Sequence, residues 1–189
     1  MSATLRQRIE QATRDEQARA AAWLSLDQIV GIVVKPFTLR HWLFLTEAEN
    51  PILLGQVPAS GHIAQFLWVI RTDFDWRSKP RKDWFKRIGK LNTTEVVDEI
   101  VAYLSRAFYD LQGGGDPDKT SVDVAGWPAY FVHRYGKLYG WSVDQVMDTP
   151  LAQLGQLDRV DRAESGDNSA YTSTLIALRA QEIMERNNR

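Results

Sequence analysis

The stretch NTTEVVDEIVAYLSRAFYDL, Asn92 to Leu111, constrains the fold more than any other part of the chain. Val96, Val97, Ile100, Val101, Leu104, Phe108 and Leu111 recur at i, i+3, i+4 spacing, which is the pattern of one buried face of an α-helix. Asn92 followed three residues later by Glu95 makes a capping-box-like start. Gly113-Gly114-Gly115 closes the helix. A helix of this kind must bury its apolar stripe against other elements, and most of the remaining chain reads as further helices.

Thr38 is placed to cap LRHWLFLTEAEN, which Asn50-Pro51 stops, because the residue before proline disfavours helical angles. Its Trp42-Leu43-Phe44-Leu45 run is apolar on most sides and is expected to be deeply buried. Ser60 is expected to cap a helix carrying Ile63, Phe66, Leu67 and Ile70. Pro128 marks the start of PAYFVHRYGKLYG. The stretch YGWSVDQVMDTPLAQLGQL holds two starts, one at Ser142 and one at Thr149-Pro150. Val143, Val146, Leu151, Leu154 and Leu157 are expected to bury against the bundle.

Both ends read as helical. Thr4 to Ala22 has sparse apolar positions (Leu5, Ile9, Ala12), so it is a solvated arm or a partner-binding helix. Ala170 to Arg186, after a polar break from Ser165 to Ser169, carries Leu175, Ile176, Leu178, Ile183 and Met184. Residues Ile29 to Val34 stay open between strand and helix: the β-branched run favours strand, while Ser25 and Asp27 offer a helix cap. The expected fold is all-α, or mostly α: a multi-helix bundle with an extended N-terminal helical arm. The arm covers 1–24, a helical core domain 25–164, and a C-terminal amphipathic helix 165–189. Trp42, Phe66, Leu67, Ile100, Leu104 and Phe108 are the expected core.

Bulk properties narrow the function classes. An apolar fraction of 44% and an aromatic fraction of 11% in 189 residues support a real core. The formal net charge of −1 provides no global field to attract nucleic acid. With no cysteine, disulfides, thiolate zinc sites and cysteine nucleophiles are excluded, which fits a reducing cytoplasm. SATLRQRIEQATRDEQ is charged and lacks the apolar segment of a signal peptide, and runs such as IVGIVV are too short to span a bilayer. A soluble intracellular protein is expected.

No pattern of catalytic residues stands out. GGGDPDKT places Lys119 and Thr120 in register with Gly113, as a phosphate-binding loop would. However, Asp118 replaces the second required glycine, Pro117 removes a backbone donor, and a helix precedes the loop instead of a strand. His41, His62 and His133 are not paired at i+3 or i+4, so they read as hydrogen-bonded, half-buried side chains. Asp73 and Asp75 in TDFDW are too few for a divalent cation, and Glu47 with Glu49 reads as the polar end of a helix. No cofactor or metal is expected, and the chain reads as a non-enzyme.

The strongest local anomaly is Arg71 to Lys90. Eight basic residues oppose three aspartates, an excess of +5 in twenty residues, with Phe74, Trp76, Trp84 and Phe85 interleaved. Such a patch can grip a nucleic-acid backbone and stack bases. It can bind an acidic protein partner with tryptophans as anchors. It can also be a solvated surface whose aromatics point inward. Trp76, Arg77, Arg81, Lys82, Trp84, Phe85 and Lys86 are the candidate partner-binding residues. A protein partner is favoured over nucleic acid because the chain as a whole is not basic. The second helix of the helix-turn-helix-like stretch also carries Asp158 and Asp161, which phosphates would repel.

That stretch, through Gly140-Trp141-Ser142, Asp148-Thr149-Pro150, Leu151 and Leu154, resembles the tail assembly chaperones of tailed bacteriophages. FTLRHWLFLTEAENPILLGQ and HIAQFLWVI also look like phage structural-module proteins. The resemblance implies binding and not catalysis, since such chaperones coat an aggregation-prone tape measure protein until tail tube subunits replace them. The long N-terminal arm and the basic aromatic segment depart from that pattern and keep a virion structural protein or another assembly factor open. The expected partner is therefore a tape measure or other tail protein in the host cytoplasm, with further copies of the chain as an open alternative. Nucleic acid stands behind these, and no membrane is expected.

Overall fold

The computed structural model describes residues 3–24, 26–75, 77–108, 111, 126–164 and 178. Among them are the helices α1 (Ala3–Leu24), α2 (Leu39–Glu47), α3 (Ser60–Val69), α4 (Lys82–Ile88), α5 (Thr93–Phe108), α6 (Trp127–Tyr139), α7 (Val143–Asp148) and α8 (Leu151–Glu164). A 3-10 turn at Pro51–Leu54 and one two-stranded hairpin, β1 (Asp27–Ile29) and β2 (Ile32–Val34), complete the set. The fold is mostly α, as the periodicity predicts. No helix of the described residues is long and apolar enough to cross a membrane.

The open segment at Ile29 to Val34 is strand. β1 and β2 pair antiparallel, with Ile29 opposite Ile32 and Asp27 opposite Val34. The connecting Val30 and Gly31 have φ of 46° and 74°, the positive pair that a type I′ hairpin turn requires. Gly31 therefore supplies the turn. Alternation puts Ile29, Ile32 and Val34 in the core and leaves Val33 outside. The Val30 amide donates to Glu99 Oε2 of α5 at 2.7 Å, which ties the strained turn to the longest core helix.

α3 is the central helix. Ile63, Ala64, Phe66, Leu67 and Val69 are buried on several sides, and α2, α4 and α5 pack around it. Phe37 stacks on Phe66 at 6.2 Å and meets the edge of Tyr103 at 6.1 Å. The α3 start lies one residue earlier than expected: Ala59 is the cap, and His62 Nδ1 accepts from the Ala59 amide at 3.1 Å. Asn50, 1% exposed, orders the 3-10 turn. Its Oδ1 accepts from the Ile52 amide, while its Nδ2 donates to the His62 carbonyl at 2.9 Å and Gln65 Oε1 at 3.0 Å.

Two buried faces differ from expectation. On α5 the buried residues are Val96, Ile100, Tyr103 and Ala107. Leu104 and Phe108 are only partly buried against the core, and Val101 is exposed. The apolar stripe was wider than the contact, and Tyr103 takes the central place because its hydroxyl reaches the Lys35 carbonyl at 2.6 Å. On α2 only Leu39, His41 and Leu45 are buried. Trp42 and Phe44 lie at the edge and Leu43 is exposed, because a single helix face meets α3 and α7.

Thr38 caps α2 as expected, accepting from the His41 amide, while His41 Nδ1 accepts from the Thr38 amide at 3.2 Å. Ser142 caps α7 in a reciprocal pair with Gln145. Thr149, expected to start α8, instead ends α7, since its hydroxyl donates to the Gln145 carbonyl at 2.6 Å. The Pro150 carbonyl accepts the first α8 bonds, and the Leu151 amide donates to the Phe37 carbonyl at 2.8 Å. Val146, Leu151 and Leu154 are buried, Leu157 is partly buried, and Val143 is exposed. α8 is therefore a packed arm whose apolar first turn faces the core.

The sparse apolar positions of α1 are covered. Leu5, Ile9 and Ala12 form a small second cluster with Leu178, and α1 packs on α8 and α5. Apart from Leu178, the expected helix Ala170 to Arg186 lies outside the described residues, as do the Ser165 to Ser169 break and the GGGDPDKT loop.

Candidate functional site

The basic segment folds into an extended turn followed by α4. Asp83 in the first turn of α4, and Lys86 with Arg87 in the last, complement the helix dipole. Trp84 and Ile88, four residues apart, share the inward face and are buried. The Trp84 indole packs against Trp68 at 5.6 Å, and its Nε1 donates to the Ala64 carbonyl at 2.7 Å. Trp84 is thus a fastener between α4 and α3, which removes it from the surface anchors expected from sequence. Trp76 lies outside the described residues.

Arg71 is also structural. Its guanidinium lies over the Trp68 and Trp84 rings at 4.7 and 4.9 Å and pairs with Asp73. Asp75 shapes the turn, accepting from the Arg77 amide on Oδ1 and from Ser78 on its carbonyl. The Asp73-x-Asp75 pair is therefore engaged within the protein. Among the described residues, no group of three or more His, Asp or Glu side chains could hold a metal ion.

The remaining candidates Arg77, Arg81, Lys82 and Lys86 are exposed, and so are Lys79, Arg87 and Lys90. Among the described residues, Lys79, Arg81, Lys82, Lys86, Arg87 and Lys90 form no ion pair. Phe85 stands among them with 41% of its surface exposed. The site is an apolar ring on a short helix clamped from behind, with Arg81 and Lys82 one turn before it and Asp83 as the one carboxylate of α4. Sequence reasoning could see the charge excess, but it could not say which of the adjacent Trp84 and Phe85 faced out.

Several charged groups elsewhere hold helices together. Arg40 bridges Asp144 and Asp148 of α7, and those carboxylates raise its pKa. Arg134 of α6 pairs with Asp158 and Asp161 of α8, so the carboxylates that disfavour a DNA-reading role for α8 have a packing role. The Tyr135 hydroxyl donates to the Leu154 carbonyl at 2.5 Å, and burial pushes its pKa up. His41 is buried, which lowers its pKa to about 4. His62 and His133 are exposed on separate helices. No protein-family model matches the chain, and no curated protein or solved structure matches it.

Proposed function

We propose that this chain is a non-enzymatic assembly protein that holds an acidic segment of a partner protein along α4. The observation that carries this reading is the exposed Phe85 ring, on a helix that Trp84 fastens to the core, in a segment whose Lys79, Arg81, Lys82, Lys86, Arg87 and Lys90 form no ion pair among the described residues. A partner carboxylate gains charge-assisted hydrogen bonds there, and Phe85 supplies the apolar contact that carries interface energy. Within this class the tail assembly chaperone is the specific proposal, with a tape measure protein as the partner and the host cytoplasm as the place of action. A gene position between tail tube and tape measure genes would support it.

The second reading is nucleic-acid binding, favoured by the same six cations. It ranks lower because the net charge is −1 and, of the two aromatic rings of α4, only Phe85 is exposed as a stacking platform. Fluorescence anisotropy separates the two, using labelled poly-glutamate peptide and labelled single- and double-stranded DNA at low and physiological salt. Acidic-peptide binding that Phe85→Ala weakens more than Lys82→Ala supports the protein reading. Tight DNA binding that loses about 0.9 log units per phosphate contact per decade of salt, with no peptide binding, replaces it with the second.

A further inference from the structure

An apolar groove of about 380 Å³ opens between the 3-10 turn with its following loop and the first half of α5. Ile52, Val57, Pro58, Val97 and Val101 line it, with Asp98 among them. Val57 is 96% exposed and Val101 54%. Neighbouring aliphatic side chains left in water at this level mark a surface that gains by being covered. Glu95, three residues before Asp98 and so on the same side of α5, is also exposed and adds to the negative charge.

The complement of this groove is carried by the same chain. α4 presents an aromatic knob, Phe85, with Lys82 one turn before it and Lys86 next to it, and Asp83 as the one carboxylate of the helix; the groove presents apolar walls with Asp98 in its lining and Glu95 one turn away. Trp84 holds α4 against α3, so Phe85 is kept outward and exposed in its own chain. We propose that a second copy of the chain is the occupant: across a two-fold axis, each copy seats Phe85 in the other's groove, with the lysines of α4 facing Glu95 and Asp98. A two-fold operation makes the contact reciprocal, so that seating one Phe85 in the partner's groove seats the other as well. The dimer stands on this complementarity alone. Its consequence, that an acidic partner competes with a second copy for α4, rests on the proposed function.

Sedimentation velocity of the full chain over a concentration series tests the dimer, with Phe85→Ser and Val101→Asp as variants at exposed positions and circular dichroism to verify folding. The expected result is a dimer that high salt weakens and that each variant weakens at least tenfold. Mixing the two variants should restore association, because the mixed pair keeps one intact knob and groove while each variant alone keeps none. A monomer throughout, an open-ended assembly, or a dimer indifferent to both substitutions overturns the proposal. Poly-glutamate binding is measured on the same samples and should be tighter for Val101→Asp, whose α4 is intact and uncovered. A monomer that binds the peptide removes the dimer and leaves the partner reading. A dimer in which no variant binds the peptide removes the partner reading and leaves the dimer.

Discussion

The Trp84 indole donates to the Ala64 carbonyl at 2.7 Å, so the residue next to the exposed Phe85 is a core residue of the α3–α4 contact. Trp84→Phe removes the donor and should cost about 1–3 kcal/mol. Trp84→Ala also leaves a cavity and should cost about 3–5 kcal/mol. Phe85→Ala should cost no more than about 1 kcal/mol, because 41% of its surface is already exposed and it lies outside the core. Urea denaturation of the three variants checks the order. A destabilised Phe85→Ala beside an unaffected Trp84→Ala would reverse the assignment of inside and outside on α4.

The buried face of α5 makes a second contrast. Ile100 is 0% exposed, and Ile100→Ala should cost about 2–5 kcal/mol. Leu104 packs at the edge of the core and can relax into solvent, so Leu104→Ala should cost clearly less, about 1–2 kcal/mol. Paired thermal and urea melts of the two variants measure the difference.

His41 should make stability depend on pH. Burial is the largest cause that lowers its pKa to about 4, with Lys35 and Arg40 adding repulsion, against an ordinary value of about 6.5. Protonation of Nδ1 would also abolish its role as acceptor for the Thr38 amide. The unfolded chain therefore binds a proton near pH 6.5 and the folded chain only near pH 4. The contribution is full above pH 6.5, falls as pH drops towards 4, and levels off below, for a total on the order of 3 kcal/mol. Urea midpoints between pH 4 and 8 should show this slope in the wild type and a shallower one in His41→Gln.

The hairpin turn offers a gain and a loss at adjacent positions. A Cβ on Gly31 meets nothing within 4 Å, yet its φ of 74° is left-handed, so Gly31→Ala should cost about 1–2 kcal/mol from backbone conformation alone. Val30 holds φ 46°, which a β-branched residue adopts only under strain. Val30→Asn, the residue that suits this turn, should stabilise by about 0.5–1 kcal/mol, part of the relief being offset by the lost half-buried side chain. Calorimetric melting temperatures that move in opposite directions would bear this out.

The helices were legible because their causes are local. Thr38 and Ser142 cap where the sequence places them, Asn92 Oδ1 accepts from the Thr94 amide at 3.1 Å, and Pro128 opens α6. These are interactions within one turn of the chain, so neighbouring residues suffice to specify them. The charge excess of Arg71 to Lys90 was equally visible, being a property of composition. Tertiary contacts decided the rest. The Leu151 amide at the start of α8 donates to the Phe37 carbonyl, more than a hundred residues away in the chain, which local sequence does not reveal. Tyr103 displaces Leu104 from the core because the Lys35 carbonyl lies within reach of its hydroxyl. Trp84 turns inward and leaves Phe85 outside because the Ala64 carbonyl and Trp68 stand on one side of α4 only. Periodicity states that a helix has an apolar stripe, whereas which residues of that stripe are buried depends on partners distant in sequence.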